Sequence, residues 1–360
     1  MRCPNHFFAT TIAPQSNEAG LSVAGSGAVA SYEKHRQAIG ELPKKRGFRT
    51  SHLCCRASRK FENLHAWAMR LSSSATNPMK PDRYDPIAAA LKEDIGQGDI
   101  TTDFFVPETL RTTGRIIARE KAIVAGTGAT AEVFRQVDPS MDAQITRREG
   151  DEVVAGDVII EVRGLARSIL KAERVALNFL QRLCGIATLT RQFVDAVGKH
   201  PVKILDTRKT TPGLRTLEKA AVLAGGGGNH RFGLYDMVLV KDNHLTTFEG
   251  LSSLADRIKQ LRQERPNIRI EVEADDLEQV RAFVEIHGID VILLDNMTPA
   301  QIREAVALRK DSIEFEASGG ITLKNVNRFA ATGVDYISVG SLTHAARAID
   351  IGLEMTHVPG

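Results

Sequence analysis

Cysteine is scarce in this 360-residue chain: four residues, Cys3, Cys54, Cys55 and Cys184. None forms a CxxC pair, so the sequence supports neither a zinc site nor a disulfide framework, and a reducing compartment is the natural setting. Long apolar runs are also missing. No stretch approaches the roughly 18 residues that would read as a bilayer-spanning helix, and the N-terminus lacks the apolar core of a secretory signal. Nor does the folded part carry an excess of positive charge. The whole chain has 47 basic against 44 acidic side chains, but residues 1–78 hold 11 basic and only 4 acidic ones, leaving 36 against 40 for the rest. A nucleic-acid-binding body would concentrate its cations on the fold itself, so that class is excluded along with membrane association.

What is present divides into a tail and a folded body. Residues 1–78 mix Ser, Ala, Arg and Lys without sustained apolar periodicity, a composition that cannot offset its ordering entropy and predicts disorder. Such a tail is either an organellar transit peptide or an extension without function; the expected location is cytoplasmic, or plastid or mitochondrion if the tail is an address. Periodic sequence begins near Tyr84. Residues 79–196 read as one domain: a short helix at 85–94, strand-like runs at 114–119 and 122–125, a helix at 128–137, two β runs within 151–162, and a long helix over about 167–197.

From residue 202 onward the pattern changes. Short apolar runs at 202–205, 237–240, 268–272, 291–294, 313–316 and 336–339 alternate with amphipathic segments. That alternation means βαβ units and a parallel sheet. Six such units, with no GxGxxG turn after the first strand, favour an open, incomplete α/β barrel over residues 197–360 rather than a doubly wound fold.

The strand ends carry the chemistry. They are Asp206-Thr-Arg208-Lys209, Lys241-Asp-Asn-His244, Glu271-Val-Glu273, Asp295-Asn296, Ser318-Gly319-Gly320 and Gly340-Ser341. In a barrel these converge on one mouth. The glycines let backbone N–H groups approach a phosphate. Glu273 and Asp295 suit a hydrated Mg²⁺, which takes a few carboxylates and leaves other positions to substrate oxygens. Opposite them, Arg208, Lys209, His230, Arg231 and Lys241 imply a polyanionic substrate. Glu271 shares the inward side of its strand with Glu273, and Glu273 is placed nearer the mouth. The run Ala224-Gly-Gly-Gly-Gly-Asn-His230-Arg231 reads as a loop closing over an anion, or as a plain connector. Arg174, Asn178 and Arg182 share one face of the long helix, a solvated stripe unless that face meets another subunit.

Taken together, Glu173-Arg174-Val-Ala-Leu-Asn-Phe-Leu-Gln-Arg-Leu-Cys-Gly-Ile-Ala-Thr188, Asp206-Thr-Arg-Lys-Thr-Thr-Pro-Gly-Leu-Arg215, Gly226-Gly-Gly-Asn-His-Arg231, Lys241-Asp-Asn-His244, Leu294-Asp-Asn296, Glu316-Ala-Ser-Gly-Gly320 and Ile337-Ser-Val-Gly-Ser-Leu-Thr-His344 resemble the quinolinate phosphoribosyltransferases. The resemblance covers 84–356 in order. It implies an N-terminal α/β sandwich domain before the barrel and a homodimer, or a higher homo-oligomer, with shared sites. The substrates it implies are quinolinate and phosphoribosyl pyrophosphate, with Mg²⁺ and no organic cofactor. It further implies that Arg174 reaches a neighbouring subunit's site, and that Arg208, Lys209, His230, Arg231 and Lys241 cradle carboxylates and phosphates. Glu273 and Asp295 would serve ribose and metal, with Lys209 beside them in catalysis, and Ser318, Gly319, Gly320 and Gly340 would hold the 5′-phosphate. Two rival readings stand beside it: a nicotinate phosphoribosyltransferase-like enzyme, and a non-catalytic phosphate- or dicarboxylate-binding barrel.

Overall fold

A computed structural model describes residues 84–247, 250–310 and 312–356; the expectations for the tail, residues 1–78, lie outside them. Helix α1 (Pro86–Ile95) starts where Asp85 accepts hydrogen bonds from the backbone N–H groups of Ile87 and Ala88, with Pro86 at the first helical position. That is the residue pair which satisfies free helical donors at least cost. After α2 (Ile100–Phe105), strands β1 (Arg111–Ala118), β3 (Asp142–Ile145) and β5 (Val158–Leu165) form an antiparallel sheet. The pair β2 (Ala122–Ile123) and β4 (Glu152–Val153) stands apart from it, and α3 (Thr127–Val137) packs alongside α1 and the next helix.

That next helix, α4 (Ala166–Ala196), runs for 31 residues and serves two cores. Its first half gives Ile169, Ala172, Ala176 and Leu180 to the sandwich core. Its second half gives Leu183, Ile186, Ala187 and Phe193 to the barrel core. Each fully buried aliphatic side chain contributes on the order of 1.5–3 kcal/mol. The shared helix therefore ties the two layers together along its length.

The barrel strands are β6 (Lys203–Leu205), β7 (Val238–Val240), β8 (Ile270–Ala274), β9 (Val291–Asp295), β10 (Glu314–Ser318) and β11 (Tyr336–Ser338). They form one parallel sheet in the order β6-β11-β10-β9-β8-β7. Strands β6 and β7 are its two edges, so the barrel is open, as expected. Helices α5 (Arg215–Ala224), α6 (Asp242–Leu245), α7 (Leu251–Glu264), α8 (Leu277–Phe283), α9 (Pro299–Ala307), α10 (Val326–Ala330) and α11 (Ser341–His344) supply the crossovers.

Two expectations need correction. The sequence places everything from 197 to 360 in the barrel, but β12 (Ile351–Thr356) crosses back and pairs antiparallel with β1, making the sandwich sheet β12-β1-β5-β3. Strands β3 and β12 show weak apolar alternation because most of their residues are exposed or half-buried. Their partner is fixed by β1 and β5, not by their own residues. The glycine run differs as well. Gly228 makes a parallel bridge to Leu205 and exchanges hydrogen bonds with Ile204 and Asp206. The segment is thus packed along the β6 edge and is no free loop, because hydrogen-bonding that edge satisfies backbone groups a loose loop would leave unpaired.

Candidate active site

The mouth is organised around Asp206, at the end of β6. Its buried carboxylate accepts from the Lys219 ammonium at 2.5 Å and from the His230 backbone N–H at 2.9 Å. Both Asp206 and Lys219 are at most 2% exposed. Burial pushes the Asp206 carboxyl up, to about 6, against the opposing pull of Lys219. This pair pins the start of α5 and the 224–231 segment to β6, and so aims His230 and Arg231. Asp206 is marked in the sequence only as a strand end, and Lys219 not at all, since a buried ion pair leaves no periodic signal.

His230 turns inward. Its Nε2 lies 3.0 Å from a Glu271 oxygen and 3.6 Å from Glu316, while its Nδ1 accepts the Arg231 backbone N–H at 2.7 Å. The hydrogen therefore sits on Nε2 and is donated to Glu271. Glu271 and Glu316 are 1% and 2% exposed, and one oxygen of each has no hydrogen-bond partner. Burial pushes Glu271 up to about 8 and Glu316 up to about 7, and pushes the His230 imidazole down. Glu316 joins the site from β10, a position the sequence reading leaves out because it falls two residues before the strand end.

Arg231 is buried, and its guanidinium reaches the Met237 carbonyl at 3.4 Å. Burial, followed by the charge of Arg208, lowers its pKa. Arg208 is half-buried, and its Nε has no hydrogen-bond partner despite being shielded from water. Two neighbouring guanidiniums with an unsatisfied buried donor form a site that an anion would complete. Lys209 is exposed; its backbone carbonyl accepts from the Thr343 hydroxyl at 2.7 Å, and its side chain lies against Gly340.

Lys241 does not stand opposite the acids. Its ammonium lies 2.6 Å from Glu273, which is 6% exposed. Both sit on adjacent strand ends, where a buried carboxylate needs a countercharge. Beside them, carboxylate oxygens of Glu273, Asp275 and Asp295 lie within 4.8 Å of one another. Asp295 and Asp275 are both pushed up, first by burial and then by the Glu273 charge. Three hard oxygen donors crowded this closely are a set a divalent cation relieves, and Mg²⁺ fits it. Asp275 is the member the sequence reading misses, since it lies just past the strand.

Ser318 closes β10, accepting the Asn296 N–H through its carbonyl at 2.9 Å. Gly319 and Gly320 follow with φ of 93° and 62°, and a Cβ on Gly319 would overlap the Asn296 side chain. Only glycine fits there. Gly340, with φ −63°, begins α11 and is not left-handed. Arg174 is not brought to the other site residues. It lies exposed on α4, with no ion pair among the described residues. Arg182 departs from the solvated stripe: it binds Glu218 and the carbonyls of Ala346 and Thr343.

Family models for the quinolinate phosphoribosyl transferase N-terminal and C-terminal domains match residues 99–184 and 186–354. A probable carboxylating nicotinate-nucleotide pyrophosphorylase of Bacillus subtilis is 43% identical over 264 residues, 73% of this chain and 90% of that protein. A mitochondrial decarboxylating quinolinate phosphoribosyltransferase 2 of Nicotiana glauca is 40% identical, covering 79% of this chain and 86% of that one. The crystal structure of NadC from Streptococcus pyogenes superposes with a TM-score of 0.72 at 37% identity, over 80% of this chain and 100% of that one.

Proposed function

From the premise that this chain belongs to the quinolinate phosphoribosyltransferase family, we infer that it joins the ring nitrogen of quinolinate to C1 of phosphoribosyl pyrophosphate. Pyrophosphate and CO₂ leave, and nicotinate mononucleotide remains. The observation that carries this reading is the adjacent Arg208 and Arg231, with the buried Arg208 Nε unsatisfied. Two ring carboxylates supply the acceptors that such a pair lacks.

The division of labour follows from charge. Arg208, Arg231 and Lys241 neutralise and orient the dicarboxylate, which converts a bimolecular encounter of two anions into a positioned one. Glu273, Asp275 and Asp295 would hold Mg²⁺, whose contribution when bound is to neutralise the departing pyrophosphate. Glu273 and Asp295 face the ribose carbon as it becomes cation-like and favour that charge. Lys209 stands at the exposed rim, suited to the pyrophosphate oxygens. Gly319 and Gly320 leave room for the 5′-phosphate, with Ser318 and Gly340 flanking it. Once the nitrogen is ribosylated the ring is an electron sink, and the adjacent carboxylate leaves as CO₂. Before any ligand arrives, His230 is held as the Nε2–H tautomer.

Arg174 acts in a second subunit's site within a homodimer or larger homo-oligomer. Its support is an exposed guanidinium with no ion-pair partner among the described residues, on a helix otherwise committed to two cores. No helix among the described residues is long and apolar enough to cross a membrane. The basic, acid-poor residues 1–78 either address the protein to an organelle or leave it in the cytoplasm, which a fluorescent fusion of that segment distinguishes.

Incubation with quinolinate, phosphoribosyl pyrophosphate and Mg²⁺ should yield nicotinate mononucleotide by mass detection. Equal or faster turnover of nicotinate, or no product at all, overturns the reading.

A further inference from the structure

Directly beneath the cationic mouth lies a buried acidic floor, an odd neighbour for a site that takes a polyanion. Glu316 on β10 is 2% exposed and has an oxygen with no hydrogen-bond partner. His230 Nε2 lies 3.6 Å from that oxygen, but its hydrogen already goes to Glu271. The groups that face this pair are Glu271 and Arg269 from β8 and its approach, Ser338 from β11, Asp206 from β6, Lys219 from α5, and Arg231 beside the imidazole. Lys219 is committed to Asp206 and Arg231 to the mouth. Arg269 is ion-paired with Glu314, so among the described residues none of these cations is paired with Glu316 itself.

Bringing a dianion over an ionised buried carboxylate raises the cost of that ionisation, and the relief at hand is a proton. We propose that quinolinate binding is coupled to proton uptake by the His230–Glu316 pair, so that the site takes the dianion together with a proton. The proton comes from solvent and adds to the orphan Glu316 oxygen or to the imidazole. In the first case the oxygen becomes an O–H donor; in the second His230 becomes a cation facing the dicarboxylate. No other bond forms or breaks in this step. The burial that pushes Glu316 up to about 7 keeps the pair within reach of a proton near neutral pH. Coupling of this kind makes the affinity fall as pH rises, with a slope that equals the number of protons taken up.

This inference rests on the function proposed above, and calorimetric titration of the full chain with quinolinate separates the two. HEPES and Tris at pH 8 differ in ionisation enthalpy, and neither carries a phosphate to compete for the mouth. Apparent binding enthalpies in the two buffers should differ by an amount equal to roughly half to one proton per site. In Glu316→Gln, binding should persist while the uptake drops at least twofold. Equal enthalpies in both buffers for the unaltered protein, or undiminished uptake in the variant, would overturn the inference. Absence of any binding heat, together with absence of nicotinate mononucleotide formation, overturns the functional reading and this inference with it. Should Glu316→Gln fail to fold, the quinolinate Kd of the unaltered protein between pH 6 and 8.5 decides: a flat profile rejects the coupling.

Discussion

The ammonium of Lys241 lies 2.6 Å from the carboxylate of Glu273, so the cation and the acid of the mouth are partners before any ligand arrives. Glu273 is buried and Lys241 is nearly half exposed at its side chain. In the function proposed above, the ring dicarboxylate would compete with Glu273 for this lysine, and drawing Lys241 away would free Glu273 for the sugar or a metal ion.

Kinetics should separate the two charges. Arg208→Ala removes a guanidinium that binds the dicarboxylate in ground and transition states alike, so it should mainly raise KM for quinolinate, by about 2–5 kcal/mol in binding terms. Glu273→Gln keeps the shape and removes the charge, so kcat should fall by more than either KM changes. The check is steady-state kinetics at saturating Mg²⁺. If Glu271→Gln cripples kcat while Glu273→Gln spares it, the catalytic assignment moves two residues back along β8.

Lys219 supports the fold of the site from below. Lys219→Ala leaves Asp206 buried without its ammonium partner, which should cost about 3–5 kcal/mol and release the 224–231 segment. Denaturant unfolding measures the loss. A change under about 1 kcal/mol would mean that water or another group satisfies Asp206.

Subunit sharing has its own test. Arg174→Ala and Lys209→Ala proteins, each weakly active, should regain activity when mixed and exchanged, because one site of each hybrid then holds both unaltered residues. Confirmed exchange without any recovery would place Arg174 outside the site.

The pH dependence of stability follows from Glu316. Its carboxyl ordinarily titrates near 4.5 and is pushed up to about 7 in the fold by burial. The folded state therefore binds the proton more tightly than the unfolded chain, so its contribution to stability is present below pH 4.5 and is lost as pH rises towards 7. Glu316→Gln should flatten the fall in Tm across that window. An unchanged slope would show that Glu316 is ionised throughout.

Removal of residues 1–78 should leave turnover and Tm unchanged in a protein starting at Met79, given the low apolar periodicity of that tail. Large losses in both would show that the tail joins the fold.

The sequence by itself determined the parallel open barrel, the long helix and most of the mouth. Short β-branched runs alternating with amphipathic segments are local signals, and strand ends must meet wherever parallel strands share a sheet. Arg208, Lys241, Glu273 and Asp295 were legible for that reason. The tertiary structure decided what no local pattern carries. Strand β12 joins the sandwich because β1 offers it an edge, and the glycine run lies along β6 because Gly228 finds Leu205 there. Likewise Lys219, Glu316 and Asp275 enter the site through pairings across the fold. Periodicity reports which side of an element is covered; which charge meets which depends on the packing of elements far apart in the chain.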